Sequence, residues 1–200
     1  MTNSTDKFPI FTIGHSNHSS DKFVGLLKDY EISAVVDVRS SPYSQFCPHF
    51  NQDPLRKFLN EKDIHYVFMG EELGARRSEK TCYIDGKVQY DKIAEQPLFH
   101  RGIERMKEGA KRMKIAMMCS EKDPLTCHRT ILIARVIKGE FSPINHILED
   151  GSLENHNDAE SRLLKEHKLE NADLFMSNEQ RLMKVYADRE RIIAYQEDAV

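Results

Sequence analysis

The sequence predicts an α/β fold: a mostly parallel, five-stranded sheet with helices on both faces, plus a C-terminal helical extension. Short apolar, β-branched runs such as residues 32–38 alternate with segments whose apolar side chains recur every three or four positions. Each apolar run stops at a polar or glycine-bearing cluster, as strands do. After residue 151 the chain becomes mostly polar, with a last amphipathic stretch over residues 178–196.

The individual elements follow in order along the chain. The predicted strands are residues 8–14, 32–38, 64–69, 114–119 and 144–148. Ser19 or Ser20 can cap the first helix, and Pro54 suits the first turn of the second. Residues 97–113 and 126–137 are predicted to form the next two helices. We therefore place an α/β domain at residues 8–151 and a helical extension at residues 152–200.

Length, charge and cysteine usage restrict the class of protein. The 40% hydrophobic and 30% charged content is typical of a globular chain, and no apolar run approaches the roughly 20 residues that cross a bilayer. The first ten residues lack the pattern of a secretory signal, and the four cysteines are scattered, so free thiols and a cytoplasmic location are expected. The net charge of −3 does not indicate a nucleic-acid partner, and no membrane partner is expected. The C-terminal helix should pack on the domain or on a second copy, as in a homodimer.

Polar and reactive residues follow the predicted strands. In open parallel sheets, ligands bind beyond the carboxyl ends of the strands, so these residues should face one site. They are Gly14, His15 and Ser16 after the first strand, Asp37, Arg39, Ser41 and Tyr43 at the second, Arg76 and Arg77 after the third, and Cys119, Glu121, Cys127, His128 and Arg129 at the fourth. The loops at the opposite edge look like ordinary solvated turns.

These residue types indicate an enzyme that acts on a phosphorylated or nucleotide-like ligand. A helix start at Cys127-His128-Arg129, together with Arg39, can hold an anion. The residues expected to carry out chemistry are His15, Asp37, Cys119, Glu121 and His128. The residues expected to bind the ligand are Gly14, Ser16, Arg39, Ser41, Tyr43, Cys127 and Arg129. No cofactor or metal is predicted.

Three other functions stay open. Thiol chemistry at Cys119 resembles that of rhodanese-like and phosphatase-like domains, but the loop lacks their glycine-bearing cradle. A metal site could use Cys119, Cys127 and His128 with Cys47 or His49, although the spacing matches no common metal motif. A non-catalytic module could bind a small anion or a nucleic-acid end.

Asp37 has a structural alternative to catalysis. Its carboxylate lies inside an apolar strand, where burial is costly without a partner. Arg39 or Arg129 could supply that partner as a structural ion pair, an interpretation with equal standing.

Several motifs, in a consistent order over residues 10–151, resemble the uncharacterised prokaryotic domain family DUF488. They are Thr12-Ile13-Gly14-His15-Ser16, Asp37-Val38-Arg39 with Ser41-Pro42 and Phe50, Leu73-Gly74, Cys119 with Glu121 and Cys127-His128-Arg129, and His146-Ile147 with Asp150-Gly151. The chain has Ser120 where alanine is common in the family pattern. The resemblance implies an α/β fold and the same site residues, and it implies no particular reaction.

Overall fold

The computed structural model describes residues 7–172 and 175–197. The strands are β1 (Phe8–Gly14), β2 (Ala34–Asp37), β3 (His65–Phe68), β4 (Tyr83–Ile84), β5 (Lys87–Val88), β6 (Ile115–Cys119), β7 (Phe141–Ile147) and β8 (Leu153–Asn155). The helices are α1 (Ser20–Asp29), α2 (Gln52–Asn60), α3 (Gly70–Leu73), α4 (Tyr90–Ala94), α5 (Pro97–Ala110), α6 (Arg135–Ile137), α7 (His156–Glu166) and α8 (Asn178–Ile193).

Six of these strands form one sheet in the order β3-β2-β6-β1-β7-β8. The first five are parallel to one another, and β8 runs antiparallel to β7 at the edge. The central strands β2 and β6 are buried along their whole length because helices cover both faces of the sheet. This confirms the predicted α/β fold class, with one strand more than the five expected.

The edge strand β8 was not predicted from the sequence. It is three residues long and partly exposed, and two of its residues are polar, so it has neither an apolar run nor a clear alternation. It forms because the turn after β7 brings Asn155 opposite Asn145, where the backbone completes the edge of the sheet.

Two apolar cores lie on the two faces of the sheet. One packs α1 and α2 against the sheet through residues such as Phe23 and Leu55. The other packs α5, the segment after β6 and the C-terminal helices, through residues such as Phe99, Ile131 and Tyr186. The two cores hold the carboxyl ends of β1, β2 and β6 at one edge of the sheet.

The segment after β6 is less regular than the predicted helix over residues 126–137. A 3₁₀ turn, Pro124–Thr126, is capped by the Asp123 carboxylate, which accepts a hydrogen bond from the Leu125 N–H at 2.9 Å. Cys127 is then extended, and a π-helical segment, Arg129–Ala134, continues into α6. The extended backbone at Cys127 turns the chain toward the sheet edge.

The chain beyond residue 151 contains the predicted C-terminal helix. On α8, Val185 and Tyr186 are buried in the same core as the sheet, whereas Met183 and Ile192 are exposed. In the part of the chain that the structure describes, no helix combines the length and the apolar character needed to cross a membrane.

Candidate functional site

A cleft of about 410 Å³ opens at the carboxyl edge of the sheet. Its walls come from the ends of β2 and β6, the loops that follow them, and the end of α8. The lining includes Arg39, Ser40, Ser41, Tyr43, Ser44, Arg76, Tyr90, Cys119, Ser120, Glu121, Thr126, Cys127, His128, Ile193 and Tyr195. Many of the residues that the sequence predicted for a ligand site therefore meet at this edge.

Backbone hydrogen bonds from the end of β1 hold the loop that follows β6 in place. The backbone N–H groups of His15 and Ser16 donate to the carbonyls of Cys119 and Ser120, both at 2.9 Å. A Cβ atom on Gly14 would lie 1.9 Å from the Glu121 carbonyl oxygen, so only glycine permits this approach. Gly14 and Ser16 thus support the loop from behind and do not line the cleft.

Asp37 and Arg39 form a buried ion pair beneath the cleft. The Asp37 carboxylate accepts hydrogen bonds from Arg39 Nη2 at 2.6 Å, Arg39 Nε at 2.9 Å, the Arg39 backbone N–H at 3.1 Å and the Tyr66 hydroxyl at 2.6 Å. Arg39 Nη2 also donates to the Phe50 carbonyl at 2.8 Å. Burial and the Asp37 charge raise the pKa of the Tyr66 hydroxyl. The geometry matches the structural interpretation of Asp37, whose oxygens are occupied by intramolecular donors.

His15 holds Arg39 from the other side. Its Nε2 lies 3.2 Å from Arg39 Nη1, its Nδ1 lies 2.8 Å from the Ser16 carbonyl, and its ring stacks on Phe50 at 4.3 Å. Burial and the Arg39 charge lower the pKa of His15 to about 4. At neutral pH the uncharged ring accepts from Arg39 through Nε2 and donates to Ser16 through Nδ1–H. It orients Arg39 and has no nitrogen left for proton transfer.

We call Cys119, Cys127 and His128 the thiol–imidazole cluster. The two sulphur atoms lie 3.7 and 3.8 Å from His128 Nδ1, and the three residues are buried at the wall of the cleft. His128 Nε2 donates to the Val38 carbonyl at 3.0 Å, which turns Nδ1 toward the sulphurs. The sequence brings the cluster together because β6 ends at Cys119 beside β2, and the extended Cys127 returns the chain to that point.

The cluster divides its charge unevenly. The hydrogen bond with Cys127 and burial raise the pKa of Cys119 well above its ordinary value. Burial would also raise the pKa of Cys127, but the Cys119 hydrogen bond and the Arg129 charge outweigh it and hold that pKa well below its ordinary value. Although burial opposes it, the interaction with Cys127 raises the pKa of His128. Of the two cysteines, Cys127 is therefore the one whose surroundings favour the thiolate.

Glu121 lines the cleft beside this cluster. The residue keeps an exposed surface, yet desolvation of its carboxyl and the neighbouring Cys127 sulphur raise its pKa. A carboxyl, an imidazole and two cysteine sulphurs consequently lie within one wall of the cleft.

Arg129 lies behind the cleft rather than in its lining. The fully buried guanidinium donates to the carbonyls of Glu121 at 2.6 Å and Lys122 at 3.1 Å. The helix-start N–H groups are also occupied: that of Arg129 donates to Cys127 Sγ at 3.4 Å, and that of Thr130 to the Cys127 carbonyl at 3.1 Å. The donors expected to hold an anion here instead fix the loop that carries Glu121.

Behind Arg129 lies a buried chain of histidines that was not predicted from the sequence as a network. Thr12 Oγ1 is 3.4 Å from Arg129 Nε and 2.8 Å from His146 Nδ1. His146 Nε2 is in turn 3.2 Å from His156 Nδ1. Burial lowers the pKa of both histidines, to about 4 for His156. Histidine is common in cores, so only tertiary contacts reveal this link between α7 and the site.

The far wall of the cleft was also not predicted from the sequence. Ile193 and Tyr195 reach it from the end of α8, and the Arg76 guanidinium lies 4.6 Å from the Tyr195 ring. The Arg76-Arg77 pair was a partial signal, but Arg77 turns inward and pairs with Glu79 at 2.6 Å. Nothing in the local sequence places residues 193 and 195 at the sheet edge.

Comparison with known proteins identifies a family but no function. No curated protein and no solved structure matches the chain. The model of a family described as a domain of unknown function, DUF488, matches residues 19–136, which contain Asp37, Arg39 and the thiol–imidazole cluster. Because that match covers more than half of the chain, the protein belongs to the DUF488 family.

Proposed function

We propose that the protein is an enzyme that acts on a small anionic, nucleotide-like ligand bound in the cleft. One observation carries the proposal: arginines that can bind phosphate and groups that can transfer protons line the same cleft. The arginines are Arg39 and Arg76, and the proton-transfer groups are Glu121 and His128.

The arginine side of the cleft suits a phosphate group. Four of the five N–H groups of the Arg39 guanidinium donate to Asp37, Phe50 and His15. One N–H group on Nη1 is therefore left for a ligand. Arg76 is exposed, and its backbone N–H donates to Ser40 Oγ at 2.8 Å. The serine hydroxyls of the same wall add neutral donors beside the two charges.

The loop after β2 suits a planar ring. Tyr43 lines the cleft with 71% of its surface exposed, and Phe46 on the same loop is 86% exposed. Exposed aromatic rings beside a basic cleft commonly stack on bases, with a gain of about 1–3 kcal/mol per base. Together with the phosphate side, this favours a nucleotide over inorganic phosphate.

A binding experiment tests the ligand class. Calorimetry with AMP, adenosine and inorganic phosphate should show tightest binding for AMP, because only AMP occupies both sides of the cleft. Arg76→Ala should weaken AMP binding by about 5-fold, the equivalent of ~1 kcal/mol for an exposed charge contact. Arg56→Ala is the matched control, since Arg56 is also exposed and lies over a tyrosine ring, 5.5 Å from Tyr66, outside the cleft. Equal affinities for AMP and adenosine would contradict the proposal that the arginine side of the cleft binds the phosphate group.

A turnover experiment tests the enzymatic part. Nucleoside mono- and diphosphates are incubated with the protein and the products separated by chromatography. Glu121→Gln should lower turnover by about 100-fold or more, as expected for loss of a proton-transfer group. Glu149→Gln is the control, because Glu149 is an exposed acid that pairs with Lys122 outside the cleft. Binding without turnover of any compound would identify a non-catalytic module instead.

A thiol enzyme is the second candidate, and one observation favours it. Cys127 has a lowered pKa beside His128, whose pKa is raised, and such a pair supplies a nucleophilic thiolate. In that case iodoacetamide should modify Cys127 and abolish turnover, whereas modification of Cys47, outside the cleft, should not.

Two broader expectations stay predictions. A cytoplasmic location follows only from the composition of the chain. A homodimer through α8 would cover the exposed side chains of Met183 and Ile192. Light scattering would then show a particle of twice the chain mass.

A further inference from the structure

The thiol–imidazole cluster has the spacing of a metal site. Cys119 Sγ, Cys127 Sγ and His128 Nδ1 all lie within 4.8 Å of one another, and the two sulphur-to-nitrogen distances are 3.7 and 3.8 Å. A tetrahedral zinc ion with Zn–S near 2.3 Å and Zn–N near 2.0–2.1 Å sets neighbouring ligand atoms about 3.5–3.8 Å apart. The two sulphur-to-nitrogen distances are thus already close to the separations that zinc requires.

The groups around the cluster orient its atoms as in metal centres. A metal-bound histidine usually donates its other ring N–H to a carbonyl or carboxylate, which fixes the tautomer. His128 Nε2 has such a partner in the Val38 carbonyl at 3.0 Å, so the lone pair of Nδ1 faces the sulphurs. The Arg129 backbone N–H, 3.4 Å from Cys127 Sγ, stabilises a thiolate at that position.

The chemistry of the three ligands selects the ion. Two thiolates and one imidazole are soft and borderline ligands of the kind that bind zinc rather than magnesium or calcium. Two thiolate charges are balanced by one divalent ion, whereas an unbalanced pair of buried anions is costly. Both cysteines are buried, so a bound cation is the condition under which the two can be thiolates together.

The site has an open side. Cys119, Cys127 and His128 line the cleft. Among the described residues, these three side chains form the one group whose ligand atoms lie close enough together to hold a metal ion. Cys47 and His49 are engaged elsewhere, with the carbonyls of Ser16 at 3.7 Å and His18 at 2.9 Å. Three protein ligands with a vacant direction are typical of catalytic zinc sites, whereas structural sites usually have four.

We infer that the protein binds one zinc ion through Cys119, Cys127 and His128, with the fourth coordination position open to the cleft. The inference goes beyond the proposed function and stands without it, since metal binding needs no substrate. A Cys127 sulphur that is bound to zinc cannot act as a free nucleophile. Bound zinc would therefore contradict the thiol-enzyme candidate.

The test uses the full chain, stripped with a chelator and reloaded with zinc or cobalt. Elemental analysis should find one zinc ion per chain, and cobalt should give thiolate-to-metal charge-transfer bands together with the visible absorption of a tetrahedral ion. Wild type that retains no zinc and shows no cobalt–thiolate band would overturn the inference. This spectrum decides even where a ligand variant does not fold.

Ligand variants locate the ion. Cys119→Ser, Cys127→Ser and His128→Gln should each weaken zinc binding by more than about 100-fold, the upper range for loss of an outer partner. Cys82→Ser is the matched control: Cys82 is equally buried, but its thiol contacts the Lys92 carbonyl at 3.8 Å, away from the cleft. Wild-type affinity in Cys127→Ser would overturn the assignment.

The result is separable from the proposed function. Tight zinc binding by a protein that turns over no nucleotide supports the inference and contradicts the enzyme. Turnover by a protein that binds no zinc contradicts the inference and leaves the enzyme in place.

Discussion

Two buried polar groups share the carboxyl edge of the sheet, and they differ in the strength of the contacts that hold them. In the Arg39 network, which comprises His15, Asp37, Arg39 and Tyr66, short hydrogen bonds of 2.6 to 3.2 Å occupy the carboxylate and most of the guanidinium. In the thiol–imidazole cluster the sulphur-to-nitrogen contacts are 3.7 and 3.8 Å, and the cluster faces the cleft. Charge-assisted hydrogen bonds between nitrogen and oxygen hold a fixed geometry, whereas the weaker contacts through sulphur yield more readily to an ion.

This difference separates residues that the sequence alone made equivalent. Asp37 and His15 look as reactive in the sequence as Cys127 and His128. Buried polar groups with full sets of partners contribute to a fixed structure, and their removal leaves unpaired charge. We therefore expect mutations in the Arg39 network to affect stability first, and mutations in the cluster to affect ion binding and chemistry.

The largest effect should come from breaking the Arg39 network. Asp37→Asn leaves the Arg39 guanidinium buried without a charge partner, which should cost about 3–5 kcal/mol in the free energy of unfolding. Urea denaturation of wild type and variant measures this loss in the free energy of unfolding. Asp53→Asn, in an exposed ion pair with Arg56, should cost less than about 1 kcal/mol. Similar losses in the two variants would show that the buried pair has no special structural weight.

Arg129→Lys should have the next largest effect. The lysine keeps the charge but cannot donate to the Glu121 and Lys122 carbonyls at once, so about 1.5–3 kcal/mol of stability should be lost. The unfolding free energy is again the measurement. Unchanged stability together with weakened AMP binding would contradict the structural role of Arg129. It would support the anion-binding role expected from the sequence.

A change of pH should weaken the Arg39 network from within. The folded-state pKa of His15, about 4, lies below the ordinary value of 6.5, so its contribution is complete above pH 6.5 and is lost as the pH falls toward 4. Between pH 7.5 and pH 5, His15 should account for a loss of about 2 kcal/mol. His156, also with a pKa of about 4, should add a similar loss.

The measurement is the unfolding free energy of wild type and His15→Asn at both pH values. The variant should be less stable at pH 7.5, and its further loss at pH 5 should be smaller than that of wild type by about 2 kcal/mol. An identical pH dependence in the two proteins would show that His15 is not held uncharged.

Much of the fold could be predicted because its signals are local. The apolar run before Gly14 gave β1 with the observed bounds, and the helices on both faces followed from periodicity. The edge strand β8 could not be predicted, because its three residues, two of them polar, pair only once β7 is in place.

The candidate site divides in the same way. The thiol–imidazole cluster was predictable as residues near one strand end, since Cys119 and Cys127 flank one loop. The partners of Arg129 were not, because they are backbone carbonyls, which carry no sequence signature. Tyr195 reaches the cleft only through the packing of α8 on the domain.

The most direct test of the difference between the two groups is the effect of zinc on stability. An ion that binds only the folded protein adds about 4 kcal/mol to the unfolding free energy when its free concentration is about 1,000 times Kd. Chelator-treated wild type should show this gain when zinc is restored, and Cys127→Ser should show none. Asp37→Asn should start from a lower stability and still show the gain. An equal gain in wild type and Cys127→Ser, or no gain in wild type, would contradict the claim that the cluster is the open site and the Arg39 network its framework.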